Sequence, residues 1–63
     1  MKTYTLFWLY GHSEIITGLN PTSAMTNAGY SQAALRALDF YVEGNRRRDY
    51  QWDLKTRNWN RTG

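Results

Sequence analysis

The 63-residue chain contains no cysteine, one proline and one histidine. Without cysteine it can form neither a disulfide nor a thiolate metal site, so packing alone has to stabilise the fold. No apolar run approaches the ~18 residues of a membrane span, and the N-terminus lacks the cleavage pattern of a signal peptide. The sequence therefore predicts a soluble, cytoplasmic protein with no membrane partner.

Groups that could carry catalysis are also scarce. His12 stands beside Ser13, but neighbouring strand residues point to opposite faces, so the two side chains do not form a nucleophile pair. Asp39 and Glu43 are spaced i, i+4 and could share a weak divalent ion on a helix, although such pairs are usually exposed. No metalloprotease, phosphate-loop or EF-hand motif is present. We expect a non-enzymatic protein with no catalytic residue, metal site, cofactor or small-molecule substrate.

What the chain has instead is aromatic mass: three Trp, five Tyr and two Phe. Each ring can bury about 150–250 Å². A chain of this length buries only about 60% of the surface that its unfolded form exposes, so its core is thin. The sequence predicts a single compact domain over residues 1–63, in which a few rings supply most of the core.

Charge is distributed unevenly along the chain, whose formal net charge is +3. Residues 44–63 carry six cations and two anions, for a net charge of +4. Residues 1–43 carry two cations and three anions, for a net charge of −1. This asymmetry indicates an acidic partner, either a nucleic acid or an acidic protein surface.

The segment 2–18 has the composition of a β-hairpin. Residues 2–10 are rich in strand-forming Thr, Tyr, Phe, Trp and Leu, and residues 13–18 contain two adjacent isoleucines. Gly11 and His12 between them supply turn chemistry. With these two residues at the tip, Trp8 pairs with Ile15.

That pairing gives the hairpin two apolar faces, of which only one can pack on the helices. Soluble monomers seldom expose a large apolar face without a use for it. We therefore expect a protein-binding surface, for a partner protein or for a homodimer. Its predicted residues share one face: Tyr4, Leu6, Trp8, Tyr10 and Ile15. The alternative set on the other face is Phe7, Leu9 and Ile16, beside Thr5.

Two helices are predicted over residues 21–43. Asn20 caps a short helix over residues 21–28, and Gly29 ends it. Ser31 caps a second helix over residues 32–43.

The second helix has an alternative. Leu35, Leu38 and Val42 recur with helical spacing, and Gly44 provides the stop. Phe, Tyr and Val are also strand formers, so the helix could end at Leu38 and residues 40–43 form a strand.

A second hairpin is predicted over residues 48–61, around a four-residue loop at 53–56. Tyr50 then pairs with Trp59, Trp52 with Arg57, and Arg48 with Arg61. The opposite face is short and polar: Asp49, Gln51, Asn58 and Asn60. We expect the rings to pack on the helices and the arginines to form a basic rim, while residues 62–63 fray.

The predicted order is ββααββ. It corresponds to an α+β domain with one antiparallel four-stranded sheet, built from the two hairpins, and both helices on one face. Small size, abundant rings and the lack of a family motif are typical of accessory proteins of phages and mobile elements.

We expect a protein-interaction module. The alternative is a nucleic-acid-binding protein that uses the basic segment 46–61, where cations that attract phosphate alternate with rings that can stack on bases. Its predicted contacts are Arg46, Arg47, Arg48, Arg57 and Arg61.

Overall fold

A computed structural model describes residues 1–62. The elements are β1 (Lys2–Trp8), β2 (Ser13–Gly18), α1 (Pro21–Asn27), α2 (Gln32–Leu35), β3 (Leu38–Glu43), a 3₁₀ turn (Arg47–Asp49), β4 (Tyr50–Asp53) and β5 (Asn58–Arg61). The predicted α+β class is confirmed. The single four-stranded sheet is wrong, because β2, β1 and β3 form one antiparallel sheet and β4 and β5 form a separate one.

Strand β1 is the centre of the larger sheet. It pairs with β2 along one edge, where Tyr4 lies opposite Ile16. It pairs with β3 along the other edge, where Phe7 lies opposite Phe40. Because side chains alternate along a strand, Tyr4, Leu6 and Trp8 point to one face of the sheet and Thr5 and Phe7 to the other.

The first hairpin turns through three residues, 9–11, instead of a tight turn at Gly11 and His12. The Trp8 N–H donates to the His12 carbonyl at 2.8 Å, and the Gly11 N–H donates to the Trp8 carbonyl at 3.1 Å. Gly11 closes the loop with a φ of 90°, a left-handed conformation that suits glycine in such loops.

This loop shifts the strand register by an odd number of residues relative to the predicted pairing. Trp8 no longer pairs with Ile15, which lies opposite Thr5. Because an odd shift exchanges the two faces of a strand, Ile16 joins Tyr4 on the helix-facing side. The predicted pairing of Trp8 with Ile15, and with it the placement of Ile15 on that side, is wrong.

The predicted helix over residues 32–43 is also wrong. Helix α2 ends at Leu35, and the alternative of a strand near residues 40–43 is correct, with the strand beginning at Leu38. Strand β3 pairs with the second edge of β1, and the Phe40 ring stacks on Phe7 with centroids 4.7 Å apart. The free edge of β1 and this ring contact outweigh the helical spacing of the apolar residues.

The change from helix to strand also separates Asp39 from Glu43. Four strand residues span about 13 Å, so the two carboxylates do not form the i, i+4 pair of a helix. Glu43 instead forms an ion pair with Lys2 at 3.3 Å.

The helices cover one face of the larger sheet. The core on this side is a cluster of buried apolar residues: Tyr4, Leu6, Trp8, Ile16, Ala24 and Met25. The Asn20 side chain accepts from the Ser23 N–H at 2.8 Å, and the Ser31 hydroxyl accepts from the Ala34 N–H, so both predicted caps are confirmed. Helix α1 lies so close to β2 that a Cβ at Gly18 would be 2.5 Å from the Ala24 nitrogen.

The second hairpin covers the opposite face. Phe7 is fully buried there, with the Tyr50 and Trp59 ring centroids at 4.7 and 5.0 Å. The Trp59 indole N–H donates to the Trp8 carbonyl at 2.9 Å. The expectation that these rings pack on the helices is therefore wrong, because they pack on the sheet and form a third layer.

The predicted faces of the second hairpin are retained, although its register differs. Trp52 pairs with Trp59, and Tyr50 pairs with Arg61. This shift of two residues leaves every strand side chain on its predicted face. Arg57 moves into the loop, where its φ is 56°.

The end of the chain is held to the 3₁₀ turn. The Thr62 N–H donates to the Asp49 carbonyl at 2.7 Å, and the Thr62 hydroxyl donates to the Arg48 carbonyl at 3.2 Å. Thr62 is thus hydrogen-bonded to this turn, the fraying of residues 62–63 stays a prediction, and Gly63 lies outside the described residues.

The indole hydrogen bond distinguishes the two tryptophans of the second hairpin. We expect Trp59→Phe to lower the free energy of unfolding by about 0.5–1.5 kcal/mol more than Trp52→Phe, because only Trp59 donates to a backbone carbonyl. Urea unfolding monitored by circular dichroism measures both. An equal loss in the two variants would contradict the assigned role of the indole N–H.

Candidate functional site

The structure places most of the predicted protein-binding face inside the molecule. Tyr4, Leu6 and Trp8 are at most 4% exposed and lie beneath the helices. Ile15 points to the opposite face and is half-buried. Only Tyr10, in the first loop, is largely exposed, at 66%.

The alternative set is divided in a similar way. Phe7 and Ile16 are buried on opposite faces of the sheet, and Leu9 is exposed in the first loop. Both faces of β1 are thus covered by the protein itself. The surplus apolar face from which a protein interface was inferred is not present at the surface.

A fixed turn carries three of the predicted arginines. We call residues 44–49 the arginine turn. The buried Thr5 hydroxyl donates to the Gly44 carbonyl at 2.6 Å and accepts from the Arg46 N–H at 2.9 Å. The Gly44 N–H donates to the Thr3 carbonyl at 2.7 Å. One end of the turn is therefore fastened to the central strand of the sheet.

The other end of the arginine turn is fastened to the last strand. The Asp49 N–H donates to the Arg46 carbonyl at 3.0 Å, and Thr62 bonds the Arg48 and Asp49 carbonyls as described above. The backbone that carries the three arginines is thus held from both sides, while their side chains remain exposed.

The three arginine side chains have different surroundings. Arg46 forms an ion pair with Asp49 at 3.2 Å. The Arg47 Nε donates to the Ser13 hydroxyl at 3.2 Å. Within residues 1–62, no acidic side chain lies within ion-pair distance of the Arg47 or Arg48 guanidinium.

The Arg47 and Arg48 side chains border an open concavity of about 760 Å³, which we call the arginine cleft. Its lining is polar: Ser13, Asn45, Arg47, Arg48 and Asp49. The Asp49 carboxylate is engaged by Arg46, so the turn as a whole retains two positive charges. Two guanidinium groups without acidic partners, beside a hydroxyl and an amide, suit an anion with several acceptor oxygens.

A second concavity of about 410 Å³ lies where the loops of the two hairpins meet. We call it the tip groove. Its lining combines apolar side chains with one cation: Leu9, Tyr10, Trp52, Leu54 and Arg57. It lies beside Gly11, where a Cβ would be 2.9 Å from the Trp52 ring, so only glycine permits this approach of the two loops.

Arg57 and Arg61 therefore do not join the other three predicted arginines at one point. Arg57 lines the tip groove, and Arg61 lies at the end of β5 opposite Tyr50.

Sequence reasoning missed Ser13 and Asn45 as lining residues of the arginine cleft. Ser13 reaches the cleft only through the strand register, which leaves no local signal, whereas the neighbouring arginines were a signal for Asn45.

The loop of the second hairpin is organised by Asp53. Its Oδ1 accepts from the Lys55 N–H at 2.8 Å and from the Thr56 N–H at 3.4 Å. The Asn60 amide donates to Oδ2 at 3.4 Å. The Lys55 N–H foremost, with the Thr56 N–H second, lowers the pKa of the Asp53 carboxyl below its ordinary value, because these bonds favour the charged form.

In the described part of the chain, no three His, Cys, Asp or Glu side chains gather as a metal site would require. His12 lies against Tyr10, with ring centroids 5.9 Å apart and nearly parallel planes. None of the helices in residues 1–62 has the length and apolar character needed to cross a bilayer. Comparison with protein-family models, curated proteins and solved structures finds no match to this chain.

The Thr5 hydroxyl should contribute to stability because it bonds two backbone groups of the arginine turn. We expect Thr5→Val, which keeps the side-chain shape, to lower the free energy of unfolding by about 1–3 kcal/mol by leaving the Gly44 carbonyl and the Arg46 N–H without this partner. Thr17→Val is the matched control on the same sheet face, at an exposed position. Chemical denaturation of both variants measures the difference, and a control as damaging as Thr5→Val would contradict it.

The Asp53 loop should be sensitive to acid. Because the folded pKa of Asp53 is lowered, its stabilising effect is present above the ordinary Asp pKa and is lost as the pH falls through the folded value. We expect the wild type to be more stable than Asp53→Asn near neutral pH, and this advantage to shrink between about pH 5 and pH 2. Urea unfolding of both proteins at several pH values measures it. An advantage that stays constant across the range would contradict the lowered pKa.

Proposed function

We propose that this protein is a non-enzymatic nucleic-acid-binding module that holds the phosphate backbone in the arginine cleft. The observation that carries the proposal is the fixed arginine turn, which presents the Arg47 and Arg48 guanidinium groups without acidic partners in residues 1–62.

The arginine turn differs from an ordinary charged connector because its backbone is hydrogen-bonded to a buried side chain. Thr5 is a polar side chain with no exposed surface in a thin core, and its hydroxyl bonds only the turn backbone. A polar group in a core is tolerated only when its hydrogen bonds are made. Here both bonds fix the backbone of the arginine turn. A solvated connector does not require such an anchor.

A nucleic-acid backbone is favoured over a carboxylate-bearing protein surface because it presents its anionic groups in regular succession. A guanidinium forms paired hydrogen bonds to phosphate oxygens, and two adjacent groups can contact successive phosphates. Phosphate contacts position a protein without reading sequence, so the proposed binding is independent of sequence at this cleft. The net charge of +4 over residues 44–63 adds long-range attraction for a polyanion.

Protein binding or homodimerisation through the first hairpin stays a prediction, although the helices and the second hairpin cover both faces of its central strand. The exposed apolar residues of this hairpin are confined to its loop, at Leu9 and Tyr10.

The test is binding of labelled oligonucleotides as a function of salt. We expect affinity to fall steeply between about 50 and 200 mM salt, as counterions compete for the phosphates. The double variant Arg47→Gln/Arg48→Gln should reduce the slope of log affinity against log salt by about 1.4 for a single strand or about 1.8 for a duplex, and weaken binding at 50 mM on the order of tenfold to a hundredfold.

A matched control separates the site from net charge alone. Lys2→Gln/Arg36→Gln also removes two positive charges, but from residues 1–43, whose net charge is −1. This control should change the slope little. Absence of binding to any oligonucleotide at 50 mM salt, or equal losses in the two double variants, would refute the proposal.

A further inference from the structure

The tip groove has a composition that the phosphate-binding role of the arginine cleft leaves unexplained. It brings together an exposed ring, Tyr10, an exposed aliphatic side chain, Leu54, and the cation Arg57. Leu54 is 83% exposed, and with Leu9 and Tyr10 it places three exposed large apolar side chains at this groove. Within residues 1–62, the Arg57 guanidinium has no acidic partner.

Both walls of the tip groove are held in place. The Tyr10 ring packs against Trp8 and His12, with ring centroids 6.2 and 5.9 Å away and interplanar angles of 23° and 4°, and Tyr10 remains 66% exposed. The opposite wall is fixed by the Asp53 hydrogen bonds, and the Arg57 N–H donates to the Asp53 carbonyl at 2.7 Å. The groove is therefore formed before any ligand arrives.

The position of the groove relates it to the arginine cleft. Asp49 lines the cleft and Leu54 lines the groove, and the four residues of β4 between them span about 13 Å. A nucleic-acid strand whose phosphates lie at Arg47 and Arg48 thus meets a second cationic concavity on the same hairpin.

We infer that the tip groove receives an unpaired base, stacked on Tyr10, and that the ligand is therefore a single-stranded nucleic acid. The inference rests on the proposed function and specifies its substrate. Rings and guanidinium planes are the groups on which splayed bases stack in proteins that bind single strands. The bases of a duplex are stacked inside it and cannot enter the groove.

The groove lining also indicates how selective this contact is. It contains no Asn, Gln, Asp or Glu side chain, which are the groups that form paired hydrogen bonds to the edges of adenine or cytosine. Arg57 is the lining side chain that can form paired hydrogen bonds to a base edge, that of guanine, while stacking accepts every base, so the binding should tolerate many sequences. The position of the groove one strand length from the arginine cleft and the charge of Arg57 favour a base over an apolar peptide as the occupant.

The experiment measures the binding of three fluorescein-labelled probes to the 63-residue chain by anisotropy at 50 mM salt. They are a single strand of about 15 nucleotides, the corresponding duplex, and the same single strand with abasic sites in its centre, which keeps every phosphate. We expect the single strand to bind at least about tenfold more tightly than the duplex, and about five-fold to a hundred-fold more tightly than the abasic strand, the range associated with one base–ring stack.

Variants of Tyr10 provide the second comparison. Tyr10→Leu keeps an apolar side chain but removes the ring. It should therefore lower the affinity for the intact strand by about the same factor and leave the affinity for the abasic strand unchanged. Tyr10→Phe keeps the ring and should bind like the wild type. Arg47→Gln/Arg48→Gln should weaken all three probes.

The outcomes separate the two proposals. Equal binding of intact, abasic and duplex probes, with the arginine variant still weakened, would overturn the single-strand inference and leave the phosphate-binding proposal in place. Because the abasic comparison uses the wild-type protein, it decides the matter even if Tyr10→Leu fails to fold. Absence of binding to every probe would overturn both.

Discussion

Strand β1 carries large side chains on both faces and hydrogen-bonds along both edges, and the rest of the fold follows from burying it. One layer has to pack on the face that carries Tyr4, Leu6 and Trp8, and a second layer has to pack on the face that carries Phe7. A single layer of helices can supply only the first. The second hairpin therefore cannot extend the same sheet, because extension at an edge would leave Phe7 in water. It folds across the sheet instead, and its rings close the second face.

This arrangement accounts for the position of the arginine turn. The chain leaves β3 at one edge of the sheet and has to pass over the Thr5 side of β1 before β4 can begin above Phe7. A connection that crosses the outside of a two-layer unit is exposed, so cations there require no desolvation. What fixes the crossing is the buried Thr5 hydroxyl, since the turn has few apolar side chains with which to pack.

Sequence reasoning succeeded where the determining interactions are local. The Asn20 and Ser31 caps and the alternation of β4 and β5 depend on residues within a few positions of each other. It failed where a distant strand decided the outcome. Residues 38–43 fit a helical period and a strand period, and the free edge of β1 selected the strand.

The prediction for the first hairpin failed for a different reason. Gly11 lies at the end of the loop and not at its centre, which changes the strand register and exchanges the faces of Ile15 and Ile16. The arginines of the cleft could be predicted from the composition of the segment alone. The position of Ser13 beside Arg47 depends on the register of the first hairpin and could not be predicted in that way.

The two concavities show how a chain with little core can still provide a defined surface. Each is set by a few specific contacts: the Thr5 and Thr62 hydrogen bonds at the arginine turn, and the Asp53 hydrogen bonds with the close approach of Trp52 to Gly11 at the tip groove. Strand β4 runs directly from one to the other, so the length of its four residues sets their separation, while Tyr50 in the same strand packs on Phe7. The strand that helps to close the second face of the core therefore also sets the spacing of the two concavities on the surface.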